Sequence, residues 1–120
     1  MRRNIAAAAL ALCALALAPV AISQAGGAKP VRKTVRIGDN FFVPDKLKVP
    51  KGSKITWRWP SQAGDTHDVK LRSGPKGVKR FHSELAASDY RFSRTLKKPG
   101  KYRVICTIHQ GMDMTIRVTR

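Results

Sequence analysis

The sequence predicts an all-β sandwich of about seven to eight short strands. Three observations predict it. Apolar and polar residues alternate with period two in several short segments. Gly, Pro, Asn and Asp clusters interrupt those segments about every 8–12 residues, the rhythm of a β-sandwich. No stretch beyond the first few dozen residues holds a helical period, and no internal repeat is present.

The strands follow in order. Thr34-Val35-Arg36-Ile37 alternates polar and apolar, and Gly38-Asp39-Asn40 is a turn signal. Phe41 to Val49 reads as one broken strand, with Pro44 at the kink, because proline inside a strand marks an edge or bulge. Pro50-Lys51-Gly52 is a second turn. Ser53 to Trp59 is the clearest strand, with Ile55, Trp57 and Trp59 on one face and Thr56 and Arg58 on the other. The tryptophans read as core. Pro60 to Asp65 is a loop, and His67 to Leu71 alternates again. Ser73 to Gly77 is a turn cluster, and Phe81 to Asp89 is irregular or a single helical turn. Tyr90 to Leu96, Lys101 to Cys106 and Met114 to Thr119 complete the set.

The first residues stand outside this pattern. Arg2 and Arg3 form a short positive region, Ile5 to Ala18 is almost purely Ala and Leu, and Pro19 ends the run. Ser23-Gln24-Ala25 puts small residues where a signal peptidase reads them. This is the layout of a secretory signal peptide over residues 1–25. The apolar run is shorter than the roughly 20 residues a bilayer span requires. Residues 26–33 read as a flexible leader and 34–120 as one domain. The expected location is periplasmic or extracellular. Cys13 lies within the signal, preceded by Leu12 where a lipoprotein site wants a small residue. Once the signal leaves, Cys106 is the sole cysteine. A lone cysteine in an oxidising compartment forms an intermolecular bridge, sits inert in the core, or binds metal.

Composition narrows the partners. The 120 residues carry 24 Lys and Arg against 7 Asp and Glu, a formal charge of +17, of which Arg2 and Arg3 supply two. The basic residues run along the whole domain, from Lys46 to Arg103 and beyond. Such a surface attracts acidic proteins and anionic surfaces, less so at high salt. Nucleic acid is disfavoured by the export signal and by the lack of any helix-turn-helix, zinc-finger or stacked-aromatic pattern.

The chemistry concentrates in Cys106-Thr107-Ile108-His109-Gln110-Gly111-Met112. A strand delivers Cys106, and His109 and Met112 follow at intervals of three on a tight loop. Three soft or borderline ligands there converge on one point, and a remote residue has to supply the fourth. His67, after a Gly-Asp-Thr turn, is that residue. Any one of these side chains alone has an ordinary explanation; the four in this order point to a metal. Two imidazoles, a thiolate and a thioether match a trigonal copper site with a weak axial Met, whereas zinc prefers four strong ligands. Expected, then, is one type 1 copper ion on His67, Cys106, His109 and Met112.

On these residues the chain resembles the cupredoxins, in the amicyanin and plastocyanin-like group. The resemblance spans Val35 to Val118 and rests on Thr-His67-Asp-Val, on Pro-Gly-Lys-Tyr at 99–102, and on Cys106-x-x-His109-x-x-Met112. It implies a Greek-key sandwich of eight strands with His67, Cys106 and His109 as equatorial ligands and Met112 as the axial one. It also implies that His109 reaches the surface through an apolar patch, to which Ile108 and Met112 contribute. Three positions depart from the family pattern. Asp68 replaces an Asn that braces the cysteine loop and adds negative charge near the metal if ionised. Gln110 replaces a Pro. Met114 replaces a Gly and competes for the axial place, although its parity with Ile116 and Val118 assigns it to the core. His82 matches no family ligand and reads as surface. The implied function is one-electron transfer with an acidic redox partner, without catalysis. The rival is a periplasmic copper carrier or buffer using the same ligands.

Overall fold

The structure, a computed structural model, describes residues 16–20, 27–61 and 64–120. The residues that carry the export reading, Arg2, Arg3, Cys13 and 23–25, lie outside them. Eight strands follow one another: β1 (Arg32–Gly38), β2 (Phe41–Val43), β3 (Lys46–Pro50), β4 (Ser53–Arg58), β5 (Lys70–Ser73), β6 (Arg91–Leu96), β7 (Gly100–Ile105) and β8 (Asp113–Thr119). They form two four-stranded sheets, ordered β2-β1-β4-β6 and β3-β8-β7-β5. β1 runs parallel to β4 and β3 parallel to β8, while the remaining pairs are antiparallel. This is the all-β sandwich of eight strands that the alternation predicts.

Alternation puts one face of each strand inside. Val35, Ile37, Ile55, Trp57, Phe92 and Leu96 line the inner face of the first sheet. Val49, Leu71, Tyr102, Val104, Met114, Ile116 and Val118 line that of the second. Trp57 packs between Phe81 and Phe92, with ring centroids 5.8 and 5.9 Å away, and its indole N–H donates to the Met114 sulfur at 3.3 Å. On β4 the cations point outward, with Lys54 and Arg58 exposed beside buried Ile55 and Trp57.

Three details refine the sequence reading. Pro44 does more than kink one strand: β2 pairs with β1 in one sheet and β3 with β8 in the other. β1 begins at Arg32, which pairs with Lys54, so ordered pairing starts inside the segment read as a leader. The segment 81–90 is irregular and holds no helical turn. It binds across the other sheet's edge through paired backbone bonds between His67 and Ala86, 2.9 and 3.0 Å, and a bridge between Lys70 and His82. That cover explains why His67, Asp68 and Val69 are all buried, which strict alternation forbids.

Candidate metal centre

Three elements deliver the cluster. β7 ends at Ile105 and hands Cys106 to the loop. The loop closes on itself: Cys106 N–H donates to the Met112 carbonyl at 3.0 Å, and Met112 N–H to the His109 carbonyl at 3.2 Å. Gly111 takes φ +81°, a left-handed turn that an L side chain resists. β8 then begins at Asp113. His67 arrives from the opposite segment, anchored by its bonds to Ala86.

The side chains meet. His67 Nδ1 and His109 Nδ1 are 3.1 Å apart, and Cys106 Sγ lies 3.9 and 3.6 Å from them. A point equidistant from these three atoms lies about 2.1 Å from each, the length of transition-metal bonds to imidazole and thiolate. The triangle therefore fits a metal ion without rearrangement. Met112 and Cys106 are buried beside it, at 2% and 4% exposure. Met114, two residues on, has its sulfur engaged by Trp57 in the core. Its inward parity on β8 is the one the sequence assigned.

The outer nitrogens of both imidazoles face carboxylates, a feature the sequence reading missed. His67 Nε2–H donates to Asp39 Oδ1 at 2.6 Å, and Asp39 Oδ1 also accepts the Asp65 N–H at 3.0 Å. The hydrogen bond from His67 holds the Asp39 carboxyl below the usual carboxylate range, against the opposing effect of desolvation. Asp65 Oδ2 stands 3.8 Å from His109 Nε2, beyond hydrogen-bond length. Asp39 sits in a Gly-Asp-Asn turn 28 residues before His67. No spacing rule links the two, so nothing in the sequence marks Asp39 beyond its turn.

Asp68 performs the brace expected of an Asn. Its Oδ1 accepts the Thr107 N–H at 2.7 Å, and its Oδ2 accepts the Thr107 hydroxyl at 2.6 Å and His82 Nε2–H at 2.7 Å. Burial pushes the Asp68 carboxyl up; the bonds from His82 and Thr107 outweigh it and hold it below the usual range. His82 is exposed, as read, but its ring tip is tied to this buried carboxylate. The surface at the cluster also differs from expectation. Ile108 is half exposed, whereas Met112 is fully buried and contributes nothing to an apolar patch.

A thiolate and two imidazoles converging in a small β-sandwich, with a buried thioether adjoining, define a mononuclear type 1 copper protein. A family model described as copper binding proteins, plastocyanin/azurin family, matches residues 30–119, and the chain belongs to that family. Among its relatives, a plastocyanin from Sambucus nigra is 36% identical over 90 residues, 68% of this chain and 89% of that one. A plastocyanin from Mercurialis perennis is 34% identical over the same shares. Among solved structures, a copper-containing nitrite reductase from Thermus scotoductus SA-01 superposes with a TM-score of 0.61 at 29% identity. The match covers 86% of this chain but only 25% of the reductase. An amicyanin variant in its reduced state superposes with a TM-score of 0.63 at 24% identity, over 73% of this chain and 82% of that one.

Proposed function

We propose that this protein is an exported one-electron carrier. Bound copper would supply the chemistry, cycling between its two oxidation states at His67, Cys106, His109 and Met112. The protein's own part is to keep one geometry for both states. The observation that carries the reading is the preformed triangle of Nδ1, Nδ1 and Sγ, which needs no movement to accept the ion.

The residues divide the work. Cys106 would hold copper through a strong thiolate bond that shares the transferred electron, and the imidazoles of His67 and His109 would hold it beside the sulfur. Met112 would supply a further, thioether ligand and tune the potential. His67 is 2% exposed and held at Nε2 by Asp39, so it is a fixed anchor. His109 has about a quarter of its side chain exposed, beside half-exposed Ile108. That edge is the port for electrons. Arg72 and Arg103 line the same cleft as Ile108 and His109. Arg103 is paired there with Asp113 at 2.8 Å, which leaves Arg72 as the basic flank toward an acidic redox partner, whose encounter the whole basic surface would speed.

The signal-like pattern of residues 1–25 supports export. A copper buffer built from the same ligands has to release its ion. A buried His67 held at Nε2 by Asp39 and a cysteine loop tied down by Asp68 favour retention. Catalysis is disfavoured because the chain has three histidines, two at the cluster and the third, His82, bonded to Asp68. The reductase likeness covers one quarter of that enzyme.

The test is spectroscopic. Copper added to the protein should give an intense blue charge-transfer band and the narrow copper hyperfine splitting of a thiolate site. Cys106→Ser should abolish both while the fold persists. A blue band surviving in the Ser variant, or a colourless protein that retains zinc, would overturn the reading.

A further inference from the structure

The two sheets leave an opening on the side away from the metal. It lies between the edge strand β6 and the segment 77–81, over the start of β7. Cys106 follows the other end of β7, so this cleft is separate from the copper site. Its volume is about 490 Å³, within the range of small-molecule sites. The floor is apolar: Val78, Phe81, Leu96 and the Tyr102 ring. The rim is wholly basic: Lys79, Arg80, Arg94, Lys97 and Lys98.

Three of those five cations are held in place. Arg94 shares the inward parity of Phe92 and Leu96, yet it stays exposed, because its guanidinium stacks on Phe92 at 4.2 Å and overhangs Phe81 at 5.8 Å. Arg80 is fixed by bonds to the carbonyls of Leu71 and Arg72 at 3.2 and 2.8 Å. The Lys98 ammonium occupies the space a side chain at residue 77 would fill, since a Cβ on Gly77 would lie 2.6 Å from Nζ. Among the described residues no carboxylate pairs with any of the five, and none lines the cleft. Like charges gathered this way repel one another, and an anion seated among them removes that repulsion. An apolar floor under a fixed cationic rim fits a ligand with the opposite layout.

We propose that this cleft binds an amphipathic anion, a hydrocarbon chain or ring ending in a phosphate or carboxylate. The head sits among Arg94, Lys98 and Arg80, and the apolar body lies on Phe81, Leu96 and Tyr102. A free small molecule and the headgroup region of an anionic lipid both have this chemistry. The proposal is independent of the electron-carrier reading.

The probe is n-octyl phosphate, titrated into the copper(I)-loaded protein and followed by amide NMR shifts and calorimetry. Expected is binding of one molecule, with shifts concentrated at residues 77–81 and 94–98, and binding about tenfold weaker for inorganic phosphate and for n-octanol. Arg94→Gln with Lys98→Gln should weaken the octyl phosphate complex about tenfold, with the blue band of the oxidised, copper(II) form of the variant unchanged. Lys48→Gln with Lys54→Gln removes the same charge from the outer strand faces and should change it less than about threefold. Displacement of octyl phosphate by phosphatidylglycerol vesicles, but not by phosphatidylcholine vesicles, would assign the site to a lipid. Retained binding in their presence would assign it to a free molecule. Equal losses in the two double variants would overturn the proposal. So would octyl phosphate binding no tighter than inorganic phosphate, with shifts spread over the whole basic surface.

Discussion

Asp39 shows how one exposed carboxylate can matter to a buried ligand. Its bond to His67 Nε2 fixes the ring and raises the electron-donating power of the imidazole. Such donation favours the more highly charged copper state. Asp39→Asn should therefore raise the reduction potential by tens of millivolts, on the order of a tenfold change in the preference between states. Protein-film voltammetry measures this directly, and an unchanged or lowered potential would deny Asp39 the role. Asp68 acts on the loop instead. Asp68→Ala leaves the Thr107 amide and hydroxyl without their shared acceptor, and the metal-free protein should lose about 3 kcal/mol in urea denaturation. Both carboxyls are held below their ordinary value of 3.8 in the folded protein. The stability they confer is thus complete above about pH 5 and fades as pH falls through the folded values. Asp68→Asn should flatten that acid-side decline in the metal-free protein, and a decline of unchanged steepness would count against it.

The candidate ligands are legible at the scale of single residues because each carries unusual chemistry in a fixed local order. Cys106, His109 and Met112 share one loop, so spacing alone joins them. His67 needed the fold to bring it across 39 residues to Cys106. Asp39 and the His82–Asp68–Thr107 chain were not legible, because surface carboxylates and histidines are common and these pairings cross elements. The sequence puts Asp68 at the place of a loop-bracing Asn, but its threefold bonding, with His82 included, depends on the loop's final shape.

Among the elements, β8 decides which methionine is free to meet the metal. Met114 lies on its inner face and accepts the Trp57 N–H, while Met112 precedes the strand. Met114→Leu should leave the blue band in place and cost about 1 kcal/mol, mostly through the unpaired indole. Met112→Leu should shift the band and raise the potential. The opposite pair of results would move the axial ligand to residue 114. The strands themselves were readable from period two, above all β4 with its two tryptophans. Less readable was the partition of strands between sheets. Alternation reports which face is buried but not which neighbour pairs, and so Pro44 read as a kink rather than a passage from one sheet to the other. His67-Asp68-Val69 misled for a related reason: a covering segment from residues 81–90 buries all three.

For the molecule as a whole, charge is the dominant property. With 24 basic and 7 acidic residues, its field attracts anions from every side. Electron exchange with an anionic reagent such as hexacyanoferrate should slow on the order of tenfold between low and high salt. Exchange with a cationic cobalt complex should speed up instead. Stopped-flow rates across a salt series check this, and a rate independent of salt for both reagents would mean that the surface does not steer encounter. Composition disclosed this charge at once. It did not disclose that five of the cations crowd one apolar opening, since they come from the 77–81 segment, β6 and the turn after it.

The place of β8 in its sheet has a bearing on how the protein is made. This strand stands between β3 and β7, and it pairs with β3 across about 70 residues of chain. While a ribosome is still extending the polypeptide, β3 has no neighbour in its sheet, and Leu47 and Val49 have nothing to pack on. The loop with three of the ligands is followed immediately by the same missing strand. A nascent chain therefore holds neither half of its product: closure of the barrel-like interior and creation of the metal-binding triangle coincide, late, when residues 113–119 dock. Non-local pairings of this kind fold slowly, so the chain stays open and unable to capture copper until its last strand is in place.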